Sequence, residues 1–138
     1  KKLKGHTNNI LSVAFSPDGT LFASGGNDNI VNVWDAKTGE NIAVFEKHPD
    51  GVGSLAFSND GKMLVSVDRK MGYVSGPFGI PIPAPDNSSR CNMIIWNPRS
   101  GGVVNNIQVA CNINSVAFSP DDKELATAGN IITIYRKK

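Results

Sequence analysis

No run of roughly 18 consecutive apolar residues, the length of a membrane-spanning helix, occurs in the 138-residue chain, and no membrane partner is expected from it. Cysteine is nearly missing as well. Cys91 and Cys111 form no CxxC pair, which argues against a zinc site or a dense disulfide framework and predicts reduced thiols in a cytoplasmic or nuclear setting. The sequon Asn87-Ser88-Ser89 is the one feature pointing to a secreted chain. An excess of one charge is also lacking. The formal net charge is +2, with lysines gathered mainly at the two ends; without a basic stripe interleaved with aromatics, no nucleic acid partner is expected. There is no signal-peptide pattern, and the chain begins with Lys rather than Met, so a fragment or processed piece is expected. Helical periodicity is absent over any useful length.

What remains, 40% hydrophobic and 19% charged residues, suits one soluble domain, and it is built from repeats. Ser12-Val13-Ala14-Phe15-Ser16-Pro17-Asp18-Gly19, Ser54-Leu55-Ala56-Phe57-Ser58-Asn59-Asp60-Gly61 and Ser115-Val116-Ala117-Phe118-Ser119-Pro120-Asp121-Asp122 are three versions of one segment. The first spacing, about 42 residues, is a natural repeat length, and the second is longer by about twenty. Each segment reads as a strand entering a tight turn, since Pro-Asp-Gly and its variants supply a fixed φ and then a residue tolerant of positive φ. A second strand follows at Leu21–Ser24, Met63–Ser66 and Leu125–Ala128. A third, rich in β-branched residues, closes on an aromatic at Trp34, Trp96 and Tyr135. The near-continuous apolarity of these third strands predicts cover on both faces. Turns at 37–40 and 98–102 lead to fourth strands near Asn41–Glu46 and Val103–Val109.

These residues resemble the WD-repeat family, whose repeats carry a Gly-His pair, a V-A-F-S strand, a P-D-G turn and a closing Trp-Asp. The first repeat has Gly5-His6, Val13 to Gly19, Asp28 and Trp34-Asp35; the second has Lys47-His48 and Trp96-Asn97; the third lacks the His and ends in Tyr135-Arg136. The resemblance implies an all-β fold: about three four-stranded antiparallel blades of a β-propeller, with repeats at about 5–46, 47–109 and 110–138 and an insert at about 68–90. Residues 1 to 4 would be the remnant of an outer strand. Closed propellers have about four to eight blades, so three imply part of a larger ring or pairing with further copies.

His6, Ser24 and Asp28 are the residue types of a hydrolase triad. Ser24 is not in a G-x-S-x-G elbow, and the resemblance implies that these three join Trp34 in a structural network. The second repeat offers His48, Ser66 and Trp96, with Arg90 where the spacing of the first repeat calls for the acid. Replacing Trp34 by alanine is expected to cost about 3–5 kcal/mol. His6, His48, Cys91 and Cys111 lack metal-ligand spacing, and the glycine pairs open no helix, so no metal, nucleotide or other cofactor is expected.

The insert, DRKMGYVSGPFGIPIPAPDNSSR, has too many glycines and prolines for a helix and favours extended backbone. It is read either as an excursion that covers its own blade or as a recognition loop. The resemblance places it on the face of the Gly-His loops. There Tyr73, Phe78, Ile80 and Arg90, with Asn8, Asn27 and Asp50 beside them, are the candidate contacts for a protein or peptide partner. The expected function is a non-catalytic protein-interaction scaffold module. The alternative is a structural segment of a larger propeller, since the irregular second repeat is similar to those of WD-repeat proteins in cytoskeletal or ciliary scaffolds. A hydrolase ranks third.

Overall fold

In the computed structural model, residues 1–69, 73–75, 81–83 and 90–136 are described. Among them there is no helix. The first sheet is a meander of β1 (Ile10–Phe15), β2 (Leu21–Gly26), β3 (Val31–Asp35) and β4 (Asn41–Phe45) in that order. The second uses β5 (Val52–Phe57), β6 (Leu64–Asp68), β9 (Arg90–Trp96) and β10 (Val103–Ala110), and the third β11 (Ser115–Phe118), β12 (Glu124–Ala128) and β13 (Ile132–Arg136). Between β6 and β9 the insert contributes a separate two-stranded pair, β7 (Tyr73–Ser75) and β8 (Pro81–Pro83). Every pairing is antiparallel, and β1, β5 and β11 lie side by side as the inner strands of three blades.

Turn chemistry builds each blade in the same way. The Ser16 hydroxyl donates to Asp18 Oδ1 at 2.7 Å and accepts from the Leu21 amide at 2.9 Å; Ser58 with Asp60 and Ser119 with Asp121 repeat the arrangement. Such Asx-type bonds hold the backbone in the turn. Gly19 and Gly61 then take φ +69° and +70°, and Asp122 accepts the same left-handed region at 57°. The hydrogen bonds to the Asp18 carboxylate, from the Ser16 hydroxyl and then the Thr20 amide and hydroxyl, lower its pKa from 3.8 to about 2. A depressed carboxyl pKa stabilises the fold fully above the unfolded value, and that stabilisation is lost as pH falls through the folded value. We therefore expect an acid-labile contribution that fades from about pH 3.8 toward about pH 2 and is missing in Asp18→Asn; acid unfolding followed by circular dichroism checks it, and identical acid profiles would refute it.

Blade packs on blade through two flanks of opposite kind. Leu21, Ala23, Val31, Val33 and Phe45 of the first blade meet Leu55, Phe57, Leu64, Ile94 and Trp96 of the second. Val65, Val67 and Met93 on the second blade's other flank meet Val116, Leu125, Phe118 and Tyr135 of the third. Phe45 stacks on Trp96 with centroids 4.5 Å apart. Gly25 permits the first junction, because a Cβ there would lie 2.5 Å from Val52 Cγ1.

The second and third blades are also clamped through their turns. Asp122 accepts the Asn59 amide at 2.7 Å, the Asn59 side-chain amide at 2.8 Å and the Asp60 amide at 2.9 Å, while the Asn59 side chain donates to Ser119 O at 2.7 Å. Asn59 stands where the other repeats have Pro17 and Pro120, and proline has no amide to give. Asp122→Ala loses the clamp and puts a Cβ-bearing residue with no compensating bonds at positive φ. We expect a cost of about 1–2 kcal/mol in urea unfolding; Asp122→Gly, which removes the φ strain only, should recover a minor part.

Two expectations are corrected here. Cys91 and Cys111 are not free thiols but are joined in a disulfide across 20 residues. Their spacing along the chain conceals a pairing that the β9–β10 register creates: Cys91 lies opposite Val109, two residues from Cys111. Cover on both faces holds for β3 and β9, whereas Ile132 and Ile134 of β13, on the outer flank of the third blade, are 78% and 55% exposed, as three blades outside a closed ring imply. Residues 1 to 4 form no strand and instead lie over the turn at 37–40, where Lys1 Nζ donates to Thr38 O and Leu3 lies beside Gly39.

Candidate functional site

The loops at one end of the sheets are held by two buried side-chain chains. In the first blade His6 Nδ1 lies 2.8 Å from Asp28 Oδ2, and His6 Nε2 lies 2.7 Å from Ser24 Oγ, which accepts the Trp34 indole N–H at 2.9 Å. With Asp28 as acceptor the imidazole carries its proton on Nδ1, so Ser24 O–H and the Asn32 amide, 3.2 Å away, donate to Nε2. Asn41 donates to Asn32 Oδ1 at 2.7 Å and extends the chain to β4. Burial of the Asp28 carboxyl pushes its pKa up, but the Thr7 amide and His6 outweigh this and the net shift is downward. Asp28 also fixes the loop itself, accepting the Thr7 amide at 2.9 Å.

The bond order acid–imidazole–hydroxyl is that of a hydrolase triad, yet Ser24 is 3% exposed and its oxygen accepts the indole N–H. A hydroxyl so placed braces the strands.

In the second blade His48 Nε2 lies 2.6 Å from Ser66 Oγ, which accepts the Trp96 indole N–H at 2.6 Å. The expectation that this network lacks its acid, with Arg90 in its place, is corrected. Asp68, at the end of β6, lies 3.4 Å from His48 Nδ1 and accepts the Asn92 amide and side chain at 2.7 and 2.9 Å. Counting back from Trp96 misplaced the acid because the insert lengthens the connection. The missed signal was a lone carboxylate in the apolar run Leu64-Val65-Ser66-Val67-Asp68, a residue that needs partners if buried. The third blade keeps only Thr127, which is buried, and Tyr135, which is half-buried.

Of the candidate contact residues, Asn8, Asn27 and Arg90 are exposed and Asp50 is half-buried. They share the end of the sheets that carries the two histidines. The loops bearing them are tied together: Asn27 N donates to Asn9 O at 2.9 Å, Asn29 Nδ2 to Pro49 O at 3.1 Å, and Arg69 N to Gly51 O. Gly51 packs against Asn27: a Cβ there would lie 3.0 Å from Asn27 Oδ1 and 3.3 Å from its Cα. Tyr73 falls on β7, but its side chain, Phe78 and Ile80 lie outside the described residues. Among the described residues, no group of three or more His, Cys, Asp or Glu side chains is placed to hold a metal ion.

A family model for the WD domain, G-beta repeat, matches residues 1–35, 39–71 and 104–130. The chain belongs to the WD-repeat family. Among relatives of this WD-repeat chain, WD repeat-containing protein slp1 of Schizosaccharomyces pombe is 30% identical over 105 residues, covering 71% of this chain and 21% of its own length. Eukaryotic translation initiation factor 3 subunit I of Aspergillus terreus is 37% identical over 84 residues, covering 60% of this chain and 25% of its own. A chain in the crystal structure of the mitotic checkpoint complex superposes with a TM-score of 0.78 at 24% identity, over 99% of this chain and 39% of that one. The structure of U3-55K gives 0.77 at 20% identity, over 97% and 38%. The blades are therefore WD-repeat propeller blades, and the chain spans about a fifth to a quarter of the curated relatives it matches.

Proposed function

We propose that this WD-repeat chain is a non-catalytic protein-interaction scaffold module, and that Asn8, Asn27, Asp50 and Arg90 form part of its contact rim. The observation that carries this reading is the bracing of the rim loops, to one another and to the buried His–Ser–Trp chains beneath them. A surface already held in place loses little freedom on binding, and loops on a rigid scaffold are where recognition residues concentrate. Similarity to a translation initiation factor subunit and to a chain within a mitotic complex supports proteins as the partners.

Affinity capture followed by mass spectrometry tests the proposal. Asn27→Arg with Arg90→Glu should remove the captured proteins, whereas Lys62→Glu in the turn at the opposite end of the sheet should not; equal capture by both variants would overturn it. Steady turnover lost in Ser24→Ala, with the fold intact, would instead revive a hydrolase.

A second reading, a structural segment of a larger propeller in a cytoskeletal or ciliary scaffold, is favoured by the small share of its relatives that the chain spans. A cytoplasmic or nuclear setting belongs to the same proposal, and the Cys91–Cys111 bond is the observation against it, because disulfides persist mainly in oxidising compartments. Alkylation of the two thiols in intact cells, expected if they are kept reduced, decides between them.

A further inference from the structure

In the first and second blades the chain leaving the fourth strand is tied back to the start of the third, and the two ties differ in kind. Counting back from the matching residues Trp34 and Trp96, Asn29 corresponds to Cys91. Counting back from Ser54 and Ser115, Pro49 and Asp50 correspond to Ala110 and Cys111. In the first blade Asn29 Nδ2 donates to Pro49 O at 3.1 Å. In the second the Cys91–Cys111 bond stands in that place. A hydrogen bond suffices for the first blade, so the second does not need a covalent tie to form. The one it carries can be broken and remade by thiol chemistry.

The bond holds the end of an edge strand. Among the described residues β10 is paired on one side only, with β9, and its last pair is Ala110 with Arg90. Beyond it the chain turns through Cys111 and the exposed Asn112, which takes a φ of 82°. Asn112 O packs so closely on Gly129 of the third blade that a Cβ there would collide with it, and Asn114 N donates to Ala128 O at 2.8 Å. The two sulfurs lie in the core cluster of Val65, Val67, Met93, Val109 and Ile113. A reduced cysteine packs in such surroundings as a small hydrophobe, so opening the bond frees the turn without emptying the core.

We propose that Cys91–Cys111 is a redox latch on the rim: the disulfide fixes the turn at 111–114 and the Arg90 pair, and reduction by a dithiol loosens both while the blades stay folded. A thiolate of the dithiol attacks Cys111 Sγ, the residue 8% exposed against 1% for Cys91, and the Cys91 sulfur leaves. The second sulfur of the dithiol then displaces Cys111. Two protein thiols form, each taking one proton from the dithiol, which departs with the S–S bond as its own disulfide. In the cytoplasmic or nuclear setting proposed above, a disulfide that forms is usually of this transient, sensing kind. The latch rests on the interaction reading for its consequence alone, weaker capture of partners through Arg90.

Hydrogen exchange read by mass spectrometry, on the oxidised chain and after dithiothreitol, tests the latch without any partner. Amides 110–114 are expected to exchange about tenfold faster or more on reduction, because local opening is no longer restrained by the bond. Those of Leu64–Asp68 should not change, and reoxidation should restore the slow rate. Cys111→Ala should exchange fast with or without dithiothreitol; Cys91→Ala takes its place if circular dichroism shows that it does not fold. Capture of proteins should fall on reduction of the wild type and stay low in the variant. A bond that dithiothreitol leaves intact in the folded chain, exchange at 110–114 that ignores reduction, or protection lost in β6 as well, the mark of a structural staple, would each overturn the latch. Capture that survives reduction but is lost in Asn27→Arg with Arg90→Glu would overturn its action on the rim and leave the interaction reading standing. A chain that captures nothing in either state would sink the interaction reading, and exchange would still decide the latch.

Discussion

Trp96→Ala is expected to lower the unfolding free energy by about 3–5 kcal/mol, the range for deleting a large aromatic side chain from a packed core. Trp96 is 1% exposed, stacks on Phe45 of the neighbouring blade and donates its indole N–H to Ser66. Three losses therefore coincide: the buried ring area, the Phe45 stack, and the donor that occupies a hydroxyl already engaged with His48. Trp34 is the matching residue of the first blade and is 4% exposed, so its replacement should also be costly. Its stacking partner, Phe22, lies on its own blade with centroids 5.9 Å apart, and its ring is covered chiefly from Gly5, where a Cβ would lie 2.6 Å from Trp34 Cη2. Because that segment can follow the shrinking side chain more easily than a neighbouring blade can, Trp34→Ala should fall at the lower end of the same range, about 3 kcal/mol. Urea unfolding of both variants checks the order. A Trp96→Ala cost below about 1 kcal/mol would contradict the assignment of this residue as the junction's anchor.

The difference between the tryptophans shows where sequence reading stops. Strand–turn–strand order was legible in the Ser-Pro-Asp-Gly segments, since these encode backbone torsions locally. The His6–Ser24–Trp34 chain was legible through family resemblance, because its residues hold fixed places in one uninterrupted repeat. Asp68 was not, since the insert broke the counting and the carboxylate comes from the neighbouring strand. Neither the disulfide nor the Asn59–Asp122 clamp was legible. Both depend on which residues the folded register brings side by side, Cys91 beside the exit of β10 and one turn against the next.

Asp68→Ala is expected to cost about 3 kcal/mol or more, the effect of leaving three donors without their acceptor at about 1–3 kcal/mol each. The residues of this carboxylate–imidazole pair have side chains with no exposure, so water cannot readily replace the lost oxygen atoms. Asn92 loses the acceptor of both its amide and its side chain, and His48 loses the oxygen facing Nδ1. Asp28→Ala in the first blade should be milder, about 1–2 kcal/mol, because water can replace the carboxylate at the exposed amide of Thr7 and His6 Nδ1 is the buried donor left without its acceptor. A double-mutant cycle separates packing from the hydrogen-bonded chain: if Asp68 acts by holding His48 against Ser66, Asp68→Ala and Ser66→Ala should be non-additive by at least about 0.5 kcal/mol. Additive losses would mean that Asp68 serves β9 through Asn92 alone, and equal costs for Asp68→Ala and Asp28→Ala would show that burial does not set the difference between the two networks.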